Sequence, residues 1–150
     1  METKVFRDQF TRLLKKNEFK KEGSLWIRPK QNGLSDMVYL LRSSFGEDYY
    51  LETGKWLHAI HGSKPLLARN TWDLNARADE FYRYPIDPFQ LNEDFEDEER
   101  MRLISELLDH VDRQFWSRFT SEAEVLEYAR NFKSGVPRVG PALRKFIQES

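Results

Sequence analysis

The residues best equipped for chemistry in this chain are its three histidines and its crowded carboxylates. His58 and His61 flank Ala59-Ile60. On a helix that three-residue step would aim both imidazoles at one metal ion; on a strand it would send them to opposite faces. The segment closes a strand pattern and no third ligand accompanies it, so hydrogen-bonded histidines are expected there, and no metal. His110 lies beside Asp109 and close to Asp112, and reads as a helix residue rather than a general base. The second feature is Glu93-Asp94-Phe95-Glu96-Asp97-Glu98-Glu99, six carboxylates in seven residues. Repulsion in such a run can raise carboxyl pKa values or recruit a hard cation. The spacing and central glycine of a calcium-binding loop are missing, whereas acids at a helix start complement its dipole.

Other chemistries find less support. There is no cysteine, which excludes thiolate zinc sites, disulfides and thiol catalysis. No Gly-x-Ser-x-Gly elbow occurs, and no base is placed near Ser43 or Ser44 by local sequence. Phosphate-cradling glycine loops are absent. Asp79 and Glu80 are neighbours in sequence, which says little about geometry. Lys15, Lys16, Lys20, Lys21, Arg28 and Lys30 interleave with Phe19 and Trp26, a composition that could neutralise phosphates and stack on bases. The isoelectric point near 6.3 falls short of a nucleic-acid footprint, so that role is disfavoured and no cofactor is expected.

These residues must be positioned by a scaffold that the hydrophobic pattern outlines. The chain has 150 residues, 39% of them hydrophobic and 14% aromatic, enough for one packed domain. No apolar run approaches a membrane span and the first residues lack the apolar core of a signal peptide, so a cytoplasmic protein that does not enter the membrane is expected. Val5, Phe6, Phe10, Leu13 and Leu14 predict a helix within residues 1–17, with Thr3 as its cap. Gly23 precedes a first strand over Ser24–Pro29, and Asn32-Gly33 predicts a hairpin turn. Met37 to Leu41 forms the centre of a second strand and Gly46-Glu47-Asp48 a turn. Tyr49–Leu57 reads as a third strand, and Trp72–Ala78 as a fourth after a loop containing Gly62 and Pro65. The sheet is thus expected within residues 24–80. Pro85 and Pro88 mark a connector over 84–95. Helices follow over 96–132, the first carrying Met101, Ile104, Leu108, Val111, Phe115 and Phe119. The second is opened by Ser121 with Glu124 at capping-box distance and carries Val125, Leu126, Ala129 and Phe132. Residues 133–150 form a tail with a short helix. The expected class is α+β: an N-terminal helix, an antiparallel meander of three to five strands, and two or three helices on one sheet face.

The net charge of −1 conceals segregation. Residues 1–30 carry nine Lys or Arg against four acids, residues 71–128 sixteen acids against six bases, and residues 129–150 five bases against one acid. Phe19-Lys20-Lys21-Glu22-Gly23-Ser24-Leu25-Trp26-Ile27-Arg28, following a basic-ended helix, resembles the opening of a bacterial family known as domain of unknown function 4304. Leu41-Arg42-Ser43-Ser44-Phe45-Gly46 is similar to that family's Gln-Lys-Ser segment, and Thr53-Gly54 to its Asn-Gly on the third strand. Asn75-Ala76-Arg77-Ala78 is similar to a later strand carrying an arginine, and Phe119-Thr120-Ser121 to the start of the final helix. Glu18 stands where members have glycine, Arg42 where they have glutamine, and Ala78 where they have a larger aliphatic. The resemblance implies the same helix–meander–helices order and carries no established catalytic residues. In composition the chain also resembles immunity proteins of bacterial toxin systems.

Together these features favour a non-enzymatic protein-binding domain, an immunity- or antitoxin-like factor meeting a basic toxin domain. The partner surface is expected at Glu93, Asp94, Glu96, Asp97, Glu98 and Glu99, with Asp109 and Asp112. The alternative is an enzyme or small-ligand protein with a sheet-face pocket lined by Arg42, Tyr50, Trp56 and Arg77.

Overall fold

The structure, a computed structural model, describes residues 1–44, 48–62, 72–84, 86–91, 94 and 96–149. Helix α1 (Thr3–Lys16) is followed by β1 (Lys20–Glu22), β2 (Leu25–Lys30), β3 (Leu34–Arg42) and β4 (Tyr49–Leu57). A single helical turn, α2 (His58–His61), precedes β5 (Leu74–Arg77) and a 3-10 turn at Ala78–Glu80. Then come α3 (Asp97–Val111), α4 (Glu122–Arg130), β6 (Arg138–Val139) and α5 (Pro141–Gln148). The strands form one antiparallel sheet in chain order, β1 to β6. This is the expected α+β class, with six strands among the described residues in place of three to five.

The additional strands lie at the edges, where the sequence signal is shortest. Gly23, at φ +63, turns the chain between β1 and β2, so the first predicted strand is the second arm of a hairpin. At the opposite edge, residues of the predicted tail pair with β5 as β6. Glu18 has φ +69, a left-handed conformation that favours glycine. The predicted hairpin forms there: Asn32 and Gly33 both have positive φ and, with Gln31, make a three-residue turn between the paired Lys30 and Leu34. Thr3 is not a cap: the helix begins on it, with Glu2 as N-cap and no side-chain bond. Ser121 does cap α4, its hydroxyl accepting from the Glu124 backbone N–H at 3.2 Å.

One sheet face carries the main core. Phe6, Phe10 and Leu14 of α1, four residues apart, meet Val38, Leu51 and Leu57 of the sheet and Ile104, Leu107 and Leu108 of α3. The opposite face carries a smaller cluster of Leu25, Ile27, Met37, Trp56 and Trp72, so the sheet centre is covered on both sides. After α3 the chain takes a π-helical turn, Asp112–Trp116, that buries Phe115 and Trp116. Among the described residues, no helix is long and apolar enough to cross a membrane.

Candidate functional site

The acidic run supplies the first candidate surface. Glu96 is the N-cap of α3 and Asp97, Glu98 and Glu99 fill its first turn, where the helix dipole favours negative charge. Asp94, Glu96, Asp97 and Glu98 are exposed and make no ion pair among the described residues. Glu93 lies outside the described residues. Glu99 is tied to Arg102, whose guanidinium also pairs with Glu106. Asp109 is exposed and lies eleven residues beyond Glu98, about three helical turns, so both share one side of α3. Asp112 instead pairs with Arg28 at 3.0 Å. Among the described residues, five of the eight predicted acids, Asp94, Glu96, Asp97, Glu98 and Asp109, are thus exposed and make no ion pair.

The four residues of the alternative pocket do not converge. Tyr50 and Trp56 share a face of β4, and Arg77, opposite Glu52, joins that face. Arg42, paired with Tyr49, belongs to the other. Trp56 is sealed in the smaller core, its indole N–H donating to the Gly62 carbonyl at 2.8 Å and its ring 4.2 Å from that of His61. Tyr50 and Arg77 do meet, the guanidinium lying 4.7 Å from the ring centre. Arg77 borders an open cleft of about 780 Å³ with Asp79, Glu80, Tyr82, Arg83, Tyr84 and Arg138. Its charges are largely matched: Arg138 grips Glu80 through two bonds of 2.7 and 2.8 Å, and Arg77 reaches Asp79 at 3.0 Å. The Arg138 bonds, above all, hold the Glu80 carboxyl below its usual range. Burial pushes the nearby Asp87 carboxyl and Tyr84 phenol up.

Sequence reasoning missed a row of buried charges. The register places Arg28 opposite Asp36 and Asp36 opposite Lys55, aligning the three across β2, β3 and β4 on the main-core face. Arg28 Nε donates to Asp36 Oδ2 at 3.0 Å, and Lys55 Nζ lies 2.5 Å from Asp36 Oδ1. Lys55 also donates to the Phe119 carbonyl at 2.9 Å, and Arg28 to the Asn17 carbonyl at 3.0 Å. The Arg28 guanidinium is flanked by Phe19 and Trp116, 4.5 and 5.2 Å from the ring centres. Arg28 is therefore an anchor of the core rather than a surface cation. Burial pushes the Lys55 amine below its usual range, with the Asp36 charge opposing that shift. Three charged residues at alternating positions on apolar strands were the available signal, but only the register shows that they align.

The histidines have separate partners. His58 Nε2 lies 2.8 Å from Ser35 Oγ, and His61 Nε2 lies 2.9 Å from Asp73 Oδ1, whose other oxygen accepts the Leu57 N–H at 2.7 Å. The segment is a helical turn instead of the expected strand end, yet each ring finds its own hydrogen bond. The His110 ring stacks on Tyr82, with centroids 4.4 Å apart. Among the described residues, no group of three His, Cys, Asp or Glu side chains could hold a metal ion.

No curated protein and no solved structure matches the chain. A family model does, over residues 10–130: Domain of unknown function (DUF4304).

Proposed function

The chain belongs to the DUF4304 family, and we propose that it acts by binding a basic protein, as an immunity- or antitoxin-like factor does when it covers a cationic toxin domain. One observation carries this reading. Asp94, Glu96, Asp97 and Glu98 are exposed at the start of α3 and have no counter-ion among the described residues, on a chain whose net charge is only −1. A concentrated negative field accelerates encounter with a cationic surface and fixes its orientation. Asp109 extends the same face; Asp112 and Glu99, held by arginines, contribute less.

The partner to test is a cationic protein encoded beside this chain in its genome. With Glu96→Lys, Asp97→Lys and Glu98→Lys combined, association at low salt should slow by roughly tenfold or more, and the difference should shrink as salt is added. An unchanged association rate would remove α3 from the interface.

The small-ligand reading retains one supporting observation. Tyr50 and Arg77 pack together at the border of the open cleft, where Arg83 makes no ion pair among the described residues.

A further inference from the structure

A smaller pocket lies away from both surfaces, on the shoulder where α1 crosses the β1–β2 hairpin and the end of β3. Its volume is about 150 Å³. Arg7 and Thr11 reach it from α1, Lys21 from β1, Ser24 from the hairpin turn and Arg42 from the last position of β3, over a floor that includes Trp26. Among the described residues, no carboxylate lines it. Neither Arg7, Lys21 nor Arg42 makes an ion pair among the described residues.

Two of the three cations contact neutral aromatic side chains. Arg7 Nε donates to the Tyr49 hydroxyl at 3.2 Å, and its guanidinium stands 5.5 Å from the Tyr49 ring centre. Lys21 Nζ stands 5.7 Å from the Trp26 ring centre. Arg138 and Arg28, by contrast, are matched by the acids Glu80 and Asp36. Three like charges brought to one small polar pocket from three elements repel one another unless an anion joins them. Two guanidiniums offer forked donors and an ammonium offers a point charge, the set that suits the oxygens of a phosphoryl dianion.

We propose that this pocket binds a phosphorylated small molecule through its phosphoryl group. Arg7, Lys21 and Arg42 neutralise the oxygens, and the Thr11 and Ser24 hydroxyls are available as further donors. The inference stands independently of the acidic face on α3. It also regroups Arg42 with Arg7 and Lys21, rather than with Tyr50 and Arg77.

The test titrates the full chain with inorganic phosphate, pyrophosphate, AMP and adenosine, reading tryptophan fluorescence (Trp26 forms part of the floor) and confirming each result by calorimetry. Saturable binding of the phosphorylated probes without binding of adenosine is expected. Arg42→Gln, Arg7→Gln and Lys21→Gln should each weaken it about tenfold. Lys16→Gln, on an exposed position outside the pocket, should leave it unchanged. Circular dichroism shows whether each variant is folded, and a second pocket substitution replaces any that is not. Absence of saturable binding up to about 10 mM, equal weakening by Lys16→Gln, or binding of single-stranded RNA but not of AMP would each overturn the proposal.

Discussion

Asp36 is fully buried and receives cations from two neighbouring strands: Arg28, with Nη2 at 2.9 Å, and Lys55 at 2.5 Å. A buried charge keeps its place only while its partners remain, because removing one leaves the other desolvated and uncompensated. Lys55→Met should therefore cost about 3 kcal/mol or more in urea unfolding at neutral pH, far beyond the usual effect of an exposed lysine. The pH dependence carries a sign. Because the folded pKa of Lys55 lies below 10.5, the native state binds fewer protons than the unfolded chain between those two values. The penalty for keeping the amine charged in the core is complete below the folded pKa and gone above 10.5. This group's contribution to wild-type stability thus rises with pH across that window, and Lys55→Met should lack the rise. A variant as stable as wild type would show that this ion pair contributes little to the fold.

Between elements, the decisive contact is the closeness of β4, Trp72 and the segment leading into α5. A Cβ on Gly54 would strike the Trp72 indole ring, and one on Gly140 would strike the Trp72 backbone carbonyl. Trp72 has no exposed surface and anchors the smaller core over Met37 and Trp56. Overpacking by one methyl at such a contact costs about 1–3 kcal/mol. Gly54→Ala should fall in that range, because a side chain can shift. Gly140→Ala should be the more damaging, because backbone must move. Thermal melts of both variants check the order, and equal or negligible losses would contradict the packing. Little of this was legible beforehand. The Phe6, Phe10 and Leu14 stripe and the Asn32-Gly33 turn specify their elements through local period and φ preference, so they could be read directly. The two residues of β6 carry no period, and the role of Gly54 depends on a tryptophan eighteen positions away. Arg42 lies on the opposite face from Tyr50, Trp56 and Arg77 because parity along β3 and β4 follows from the register between them, which local sequence does not show.

At the scale of the whole molecule, the span matched by the family is smaller than the folded unit. Residues 10–130 match, yet Phe6 lies before that span, has no exposed surface, and stacks on Phe10 and Tyr49 with centroids 5.8 and 5.3 Å apart. Beyond the span, Val139 and Leu143 enter the same main core. Tyr128 reaches forward to donate to the Pro137 carbonyl at 2.6 Å, and β6 covers the edge of β5. Losing a buried phenylalanine costs about 3–5 kcal/mol and a buried leucine about 2–5 kcal/mol, against a total stability on the order of 5–15 kcal/mol. Removing both ends would also uncover the backbone of Leu74 and Asn75, an edge prone to pairing with another chain. A fragment of residues 10–130 should therefore lose its cooperative thermal transition or self-associate, seen by circular dichroism and light scattering. If that fragment melts as a monomer within about 5 °C of the full chain, the terminal elements are accessory and the core closes without them.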